Sequence, residues 1–279
     1  MITGMPRIAI AVRDMDAAIA TFRDGFAMPV NEVAGAVESL GVRIAMCAPG
    51  GGSNVELMSP ADPDAPLNAS LQRFIDGRGE GLFALMLEAP DPDAEADELL
   101  ARGLGVLPLM PGAGGRDVHP RSTHGVLVRV YPTVPASGAT RPPPLVTGIT
   151  RVTIAVQDLD HAVEVYRDQF AMALDELPAD AQRGVRAARC RPGTGGVIEL
   201  VSPLDATRPF ASRITEFLAQ REGMFEIVLQ SDNLTSVEAR LNERGVAVGA
   251  CPDATDALEV GPGSAFGATI RLEQRSAAG

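Results

Sequence analysis

The stretch RIAIAVRDMDAAIATFRDGFAMPVNEV, Arg7 to Val33, returns as RVTIAVQDLDHAVEVYRDQFAMALDEL, Arg151 to Leu177. About half of the positions agree without a gap, which marks a tandem duplication. The agreement continues downstream in the same order. VELMSP, ending at Pro60, matches IELVSP, ending at Pro203, and GEGLFALML from Gly79 matches REGMFEIVL from Arg221. GVLVRV from Gly125 likewise faces GATIRL from Gly267. Each copy repeats within itself: Arg7 to Ala17 lines up with Ala84 to Ala94, and Arg151 to Asp160 with Glu226 to Thr235.

Every unit opens on an alternating, β-branched run such as RIAIAV, which suits a half-buried strand. An aspartate follows where a helix cap belongs, Asp14 or Asp16 in the first unit and Asp91 in the second, and the apolar spacing then turns helical. Gly103 is placed to stop the second helix. Strand candidates such as GVRIAMCAP and NVELMSP come next, so the order is βαβββ, four times. The expected class is α+β: two tandem domains, each of two βαβββ modules in a curved mixed sheet around a cupped site. The first domain covers 1–131 and the second 148–279. Between them, 132–147 form a Pro-rich linker whose prolines deny backbone donors and favour extended conformations.

The 279 residues suffice for two cores without disulfides or structural metal. A net charge of -12 with no basic run excludes a phosphate-tracking surface, so no nucleic-acid partner is expected. Cys47, Cys190 and Cys251 are too few and too scattered for a disulfide framework and read as small buried hydrophobes. The N-terminus lacks the apolar core of a signal peptide, and no stretch approaches the roughly 20 apolar residues of a membrane span. The expectation is a soluble cytoplasmic protein, monomer or homodimer, without a membrane partner.

The order and the words together resemble the vicinal-oxygen-chelate (glyoxalase, bleomycin resistance, dioxygenase) superfamily. The first copy most resembles the methylmalonyl-CoA epimerases, through IAVRDMDAA (Ile10 to Ala18), ELMSPADPDAPL (Glu56 to Leu67), FIDGRGEGL (Phe74 to Leu82) and AGGRDVHPRSTHGVLV (Ala113 to Val128). The second copy keeps the strand and helix words but carries VGPGSAFGATI where the His-Pro turn stood.

The resemblance implies a divalent metal held by histidines on opening strands and Glu or Gln on closing strands. By motif those positions are Arg7, Ala84, Glu56 and Arg129 in the first copy, and Arg151, Glu226, Glu199 and Arg271 in the second. A guanidinium has five donors and no lone pair to give, so no metal site and no cofactor are expected. The chain's only histidines, His119, His124 and His161, fall on no opening strand.

Arg151, Glu199, Glu226 and Arg271 are expected to form a structural ion cluster, balanced in sign. In the first copy Ala84 removes one member, leaving Arg7 and Arg129 against Glu56 alone. An anionic substrate is expected there, held by Arg7 and Arg129 and by the turn residues His119, Arg121, Ser122 and Thr123. Glu56 is the catalytic candidate, as the one acid left at those positions. The functional expectation is a metal-independent isomerase or lyase-type enzyme for a small carboxylate or acyl-CoA-like substrate. The alternative is a non-catalytic binding protein of the resistance type, for which a chain with no Trp and 2 Tyr supplies few aromatic walls.

Overall fold

A computed structural model describes residues 1–110, 112–133 and 145–275. Most of the connecting segment, 134–144, lies outside the described residues, whereas Val146 and Thr147 at its end are buried. The first copy runs β1 (Gly4–Ala11), α1 (Met15–Ala20), β2 (Val30–Glu32), α2 (Ala36–Leu40), β3 (Val42–Cys47), β4 (Asn54–Pro60) and α3 (Pro66–Arg78). It continues through β5 (Gly81–Ala89), α4 (Pro92–Ala101), β6 (Arg116–Val118) and β7 (Leu127–Pro132). The second runs β8 (Arg151–Ala155), α5 (Leu159–Glu164), β9 (Ala173–Glu176), β10 (Val185–Arg191), β11 (Thr194–Gly195) and β12 (Val197–Pro203). Then come α6 (Pro209–Leu218), β13 (Gly223–Ser231), α7 (Leu234–Glu243), β14 (Gly249–Ala250), β15 (Ala257–Val260) and β16 (Ile270–Gln274).

Each copy is one mixed sheet, ordered β2-β3-β4-β1-β5-β7-β6 and β14-β15-β16-β13-β8-β12-β10-β9. The two opening strands of each copy pair antiparallel at the centre, Ala9 opposite Ala84 and Thr153 opposite Glu226. One expected strand is missing: after α4 it shrinks to a single bridge between Val106 and Val118. Helices α3 and α6, between the modules, were not anticipated as elements.

The repeated aspartates act as expected. Asp14 accepts from the Ala17 amide, Asp91 from Asp93 and Ala94, and Asp158 from His161, while Asn233 does the same for Ser236. Each side chain satisfies amide donors that a helix start leaves without partners. Asp14, not Asp16, is the cap of α1.

Alternation along the strands sorts the side chains into two layers. Ile8, Ile10, Leu57, Leu85, Ile154 and Leu229 belong to one apolar core that runs through both copies and takes in the buried faces of the module helices. The opposite faces form the cups, and helices plug both. Leu67, Leu71 and Ile75 of α3 pack against Ala9, Ala11 and Met86; Phe210, Ala211 and Ile214 of α6 pack against Ala155 and Val201.

The copies also exchange backbone hydrogen bonds. Ser53 and Ile149 pair in both directions at 2.8 and 2.6 Å, and β11 of the second copy adds to β1 of the first at Gly4 and Met5. Gly195 has φ +88°, and a Cβ there would strike the Met5 carbonyl. Glycine is what lets the two chains approach so closely.

Candidate functional site

In the first cup Arg7 donates from Nε to Glu56 at 2.5 Å, and its guanidinium stacks 4.3 Å over the Tyr131 ring. Burial opposes the charge on Arg7, but Glu56 and Tyr131 outweigh it and hold its pKa above the ordinary value. Arg129 meets Asp117 through two atom pairs, at 2.6 and 3.0 Å, and both residues are buried. Burial pushes the Asp117 carboxyl up in spite of Arg129.

The expectation of a surplus positive charge gripping an anion between Arg7 and Arg129 is thereby corrected: each guanidinium already faces a carboxylate. Asp117 was missed because it pairs with Arg129 only through the β6–β7 register, where the two stand opposite one another. Glu56, the catalytic candidate, is buried and engaged by Arg7.

In the second cup the four expected residues lie in a wider network. Fully buried Glu199 accepts from Arg183 at 2.9 Å and from Arg189 at 3.0 Å, with Arg151 at 3.7 Å. Arg151 reaches Glu273 at 2.6 Å. Glu226, also fully buried, has Arg271 at 3.4 Å and a hydrogen bond from the Thr153 hydroxyl at 3.3 Å. Arg271 turns its Nη2 to Asp253. Arg183, Arg189, Asp253 and Glu273 carried no signal in the opening-strand and closing-strand motifs.

Neither set of four positions fits a divalent cation, since arginines occupy part of each and engage the carboxylates that remain. Among the described residues no group of three or more His, Cys, Asp or Glu is placed to hold a metal ion.

The His119 turn lies elsewhere, at the seam between the copies. His119 caps the 3-10 turn Pro120–Ser122, its Nδ1 accepting from the Arg121 amide at 3.0 Å. The ring therefore carries its proton on Nε2 and is a hydrogen-bond donor. The hydroxyls of Ser122 and Thr123 are spent inside the turn, on the carbonyls of His119 and Val126. His119 and Arg121 instead face a cavity of about 700 Å³ formed by both copies.

Its walls carry Arg73 and Arg78 of α3, Arg121, and Arg221 from the loop before β13. Among the described residues none of the four has an ion-pair partner within 4 Å, whereas the arginines of both cups do. Arg78 lies 5.8 Å from the Phe74 ring and Arg221 lies 4.8 Å from the Phe217 ring. Burial and the charge of Arg78 both depress the Arg221 pKa.

Glu80 and Glu222 also line the cavity, at matching positions of the two copies. Each fixes the loop after its opening strand: Glu80 accepts from the Arg13 amide at 2.6 Å and Glu222 from the Gln157 amide at 2.7 Å. Glu222 further contacts His124 Nδ1 at 3.2 Å, and His124 Nε2 meets His161 Nδ1 at 3.1 Å. The equivalents of His119 and Arg121 in the second copy are Gly261 and Gly263.

Comparison with known proteins gives a family match over residues 7–119, to the Glyoxalase/Bleomycin resistance protein/Dioxygenase superfamily. No curated protein matches the chain. Among solved structures, a mutant 4-hydroxymandelate synthase from Streptomyces coelicolor superimposes at TM-score 0.71 and 16% identity, over all of this chain and 94% of that one. A xylose isomerase-like TIM barrel/4-hydroxyphenylpyruvate dioxygenase fusion protein gives 0.64 and 16%, over all of this chain and 49% of its own. Methylmalonyl-CoA epimerase from Mycobacterium tuberculosis is 30% identical over 50% of this chain and 94% of its own, at TM-score 0.42.

Both likenesses that span the whole chain are to enzymes by their names, a synthase and a dioxygenase fusion. The expectation that no cofactor is used is corrected on that likeness, since one of the two is a dioxygenase by name, and the arginines bear only on the positions they occupy.

Proposed function

We propose, from the premise that the chain belongs to the glyoxalase/bleomycin resistance/dioxygenase superfamily, that it is an isomerase- or lyase-type enzyme acting on a small organic anion in the cavity between its copies. One observation carries this reading. Four arginines line a single cavity, none of them with an ion-pair partner among the described residues, in a chain whose net charge is -12. Such a local reversal of sign draws an anion in, and the apolar walls strengthen its hydrogen bonds to arginine.

The chemistry follows from what else lines the cavity. Glu80 and Glu222 approach from the two copies, so one carboxylate can take a proton from a carbon beside a carbonyl. The other can return it on the opposite face, or a leaving group can depart instead. Charge developing on the carbonyl oxygen would meet the Nε2–H of His119 and the guanidinium of Arg121. The site thus keeps His119 and Arg121 from the expected set and replaces Glu56 as proton carrier with Glu80 and Glu222.

The second reading, a binding protein without chemistry, draws on the plugging of both cups by helices α3 and α6. One experiment separates the two. Carbonyl-bearing organic acids that raise the melting temperature are incubated with the protein in deuterated water, and loss of the α-proton signal is followed by NMR. Exchange that disappears in Glu80→Gln or Glu222→Gln while the ligand still binds is the expected result. Binding without exchange by any ligand would leave a sequestering protein.

A further inference from the structure

Charge inside the cavity is not balanced by the residues that form it. Arg73, Arg78, Arg121 and Arg221 stand against Glu80 and Glu222, which leaves two positive charges in surplus. In the cups, by contrast, guanidinium and carboxylate groups meet in pairs and networks. The surplus is concentrated where the copies meet, because Arg78 ends α3 of the first and Arg221 follows α6 of the second. Each lies over a phenylalanine, Phe74 or Phe217, so neither is surrounded by water alone. Burial and mutual repulsion act against the charge of Arg221 until an anion arrives.

Part of the wall is apolar. Leu82, Phe83, Leu127, Met224 and Phe225 line it, and 700 Å³ is far more room than a bare inorganic anion needs. A monocarboxylate would leave one charge unmatched, whereas a phosphoryl group at neutral pH carries nearly two and offers three acceptor oxygens for planar guanidinium forks.

We infer that the cavity binds an organic ligand with a doubly charged phosphoryl head, gripped jointly by Arg78 of the first copy and Arg221 of the second, its apolar body lying against Phe217 and Phe225. The inference deepens the proposed function by naming the head group and rests on that reading only for its choice of cavity.

Calorimetric titration of the full chain with phenyl phosphate, benzoate and inorganic phosphate tests it. Phenyl phosphate is expected to bind at least about tenfold more tightly than benzoate, as a second charge-assisted contact implies. That preference should shrink between about pH 8 and about pH 5, as the head loses its second charge. Arg78→Ala and Arg221→Ala should each weaken phenyl phosphate by about tenfold and bring it level with benzoate. Equal affinity for the two aromatic ligands, or indifference to both arginine variants, overturns the inference. Inorganic phosphate binding as tightly as phenyl phosphate overturns the apolar half of it. A Glu80→Gln, Glu222→Gln double variant separates this result from the reaction: it should hold phenyl phosphate at least as tightly. If no ligand of any kind exchanges a proton, the reaction fails while the head-group result stands on its own.

Discussion

Glu199 and Glu226 occupy comparable depths, yet they stand in opposite electrostatic positions. Burial acts to raise the Glu199 carboxyl, and Arg183, Arg151 and Arg189 outweigh it, holding its pKa below the ordinary value. Burial raises Glu226 and prevails over Arg271 and Arg151, helped by the nearby charge of Asp253. Glu199 therefore contributes stability that is present above the ordinary carboxylate range and lost as pH falls from there through its lowered value. Stability linked to Glu226 runs the other way, present at low pH and lost as pH rises through its elevated value. Glu199→Gln is expected to cost about 3 kcal/mol at neutral pH, because it removes a fully buried carboxylate from the partly exposed Arg183 and Arg189, while Arg151 keeps Glu273. Glu226→Gln should be neutral or stabilising there. Chemical denaturation at two pH values checks both, and equal losses for the two variants would refute the assignment. The motifs made these two residues legible and their surroundings illegible. Arg183, Arg189 and Asp253 come from loops and a neighbouring strand, and only the folded register brings them in. For the same reason Arg73, Arg78 and Arg221 carry no signal in the sequence motifs.

At the scale of elements, the repeated words located the opening strands, the cap Asp91 and, as one of two candidates, the cap Asp14, because period and capping chemistry are local. They did not find α3 and α6. Each begins on a proline with no capping side chain, so the strongest start signal is absent. Nor could they find β11, whose two residues become a strand only because the other copy offers an edge. That junction makes a prediction. Gly195→Ala imposes φ +88° on a residue with a Cβ and drives that carbon into the Met5 carbonyl. A loss of at least about 2 kcal/mol is expected, from the unfavourable backbone region together with the clash. Its signature is faster hydrogen exchange at the amide of Thr194, which donates across the junction at 3.0 Å, with the cups still protected. Exchange unchanged at that amide would show that the junction bears no strain.

On the scale of the whole molecule, the sequence divides into two domains but the principal core does not. Ile8 and Phe22 belong to the same buried cluster as Ile154 and Leu241, and Arg240 reaches across to donate to the Asp24 carbonyl at 2.8 Å. Calorimetry should therefore record one cooperative transition, with van't Hoff and calorimetric enthalpies in agreement. The first copy expressed alone, residues 1–131, should expose its half of that core and associate or remain unfolded. Two resolved transitions, or a stable monomeric fragment, would contradict the shared core. None of the described helices is long and apolar enough to cross a membrane.

The seam cavity has a further consequence because its two halves are no longer alike. An assembly of two identical subunits would offer a guest at the symmetry axis two equivalent poses. Here Gly261 and Gly263 stand at the positions equivalent to His119 and Arg121, of which only His119 and Arg121 line the cavity, so turning the guest end for end gives a different encounter. Divergence of the fused copies has removed that equivalence, so the cavity can hold an asymmetric guest in one orientation only.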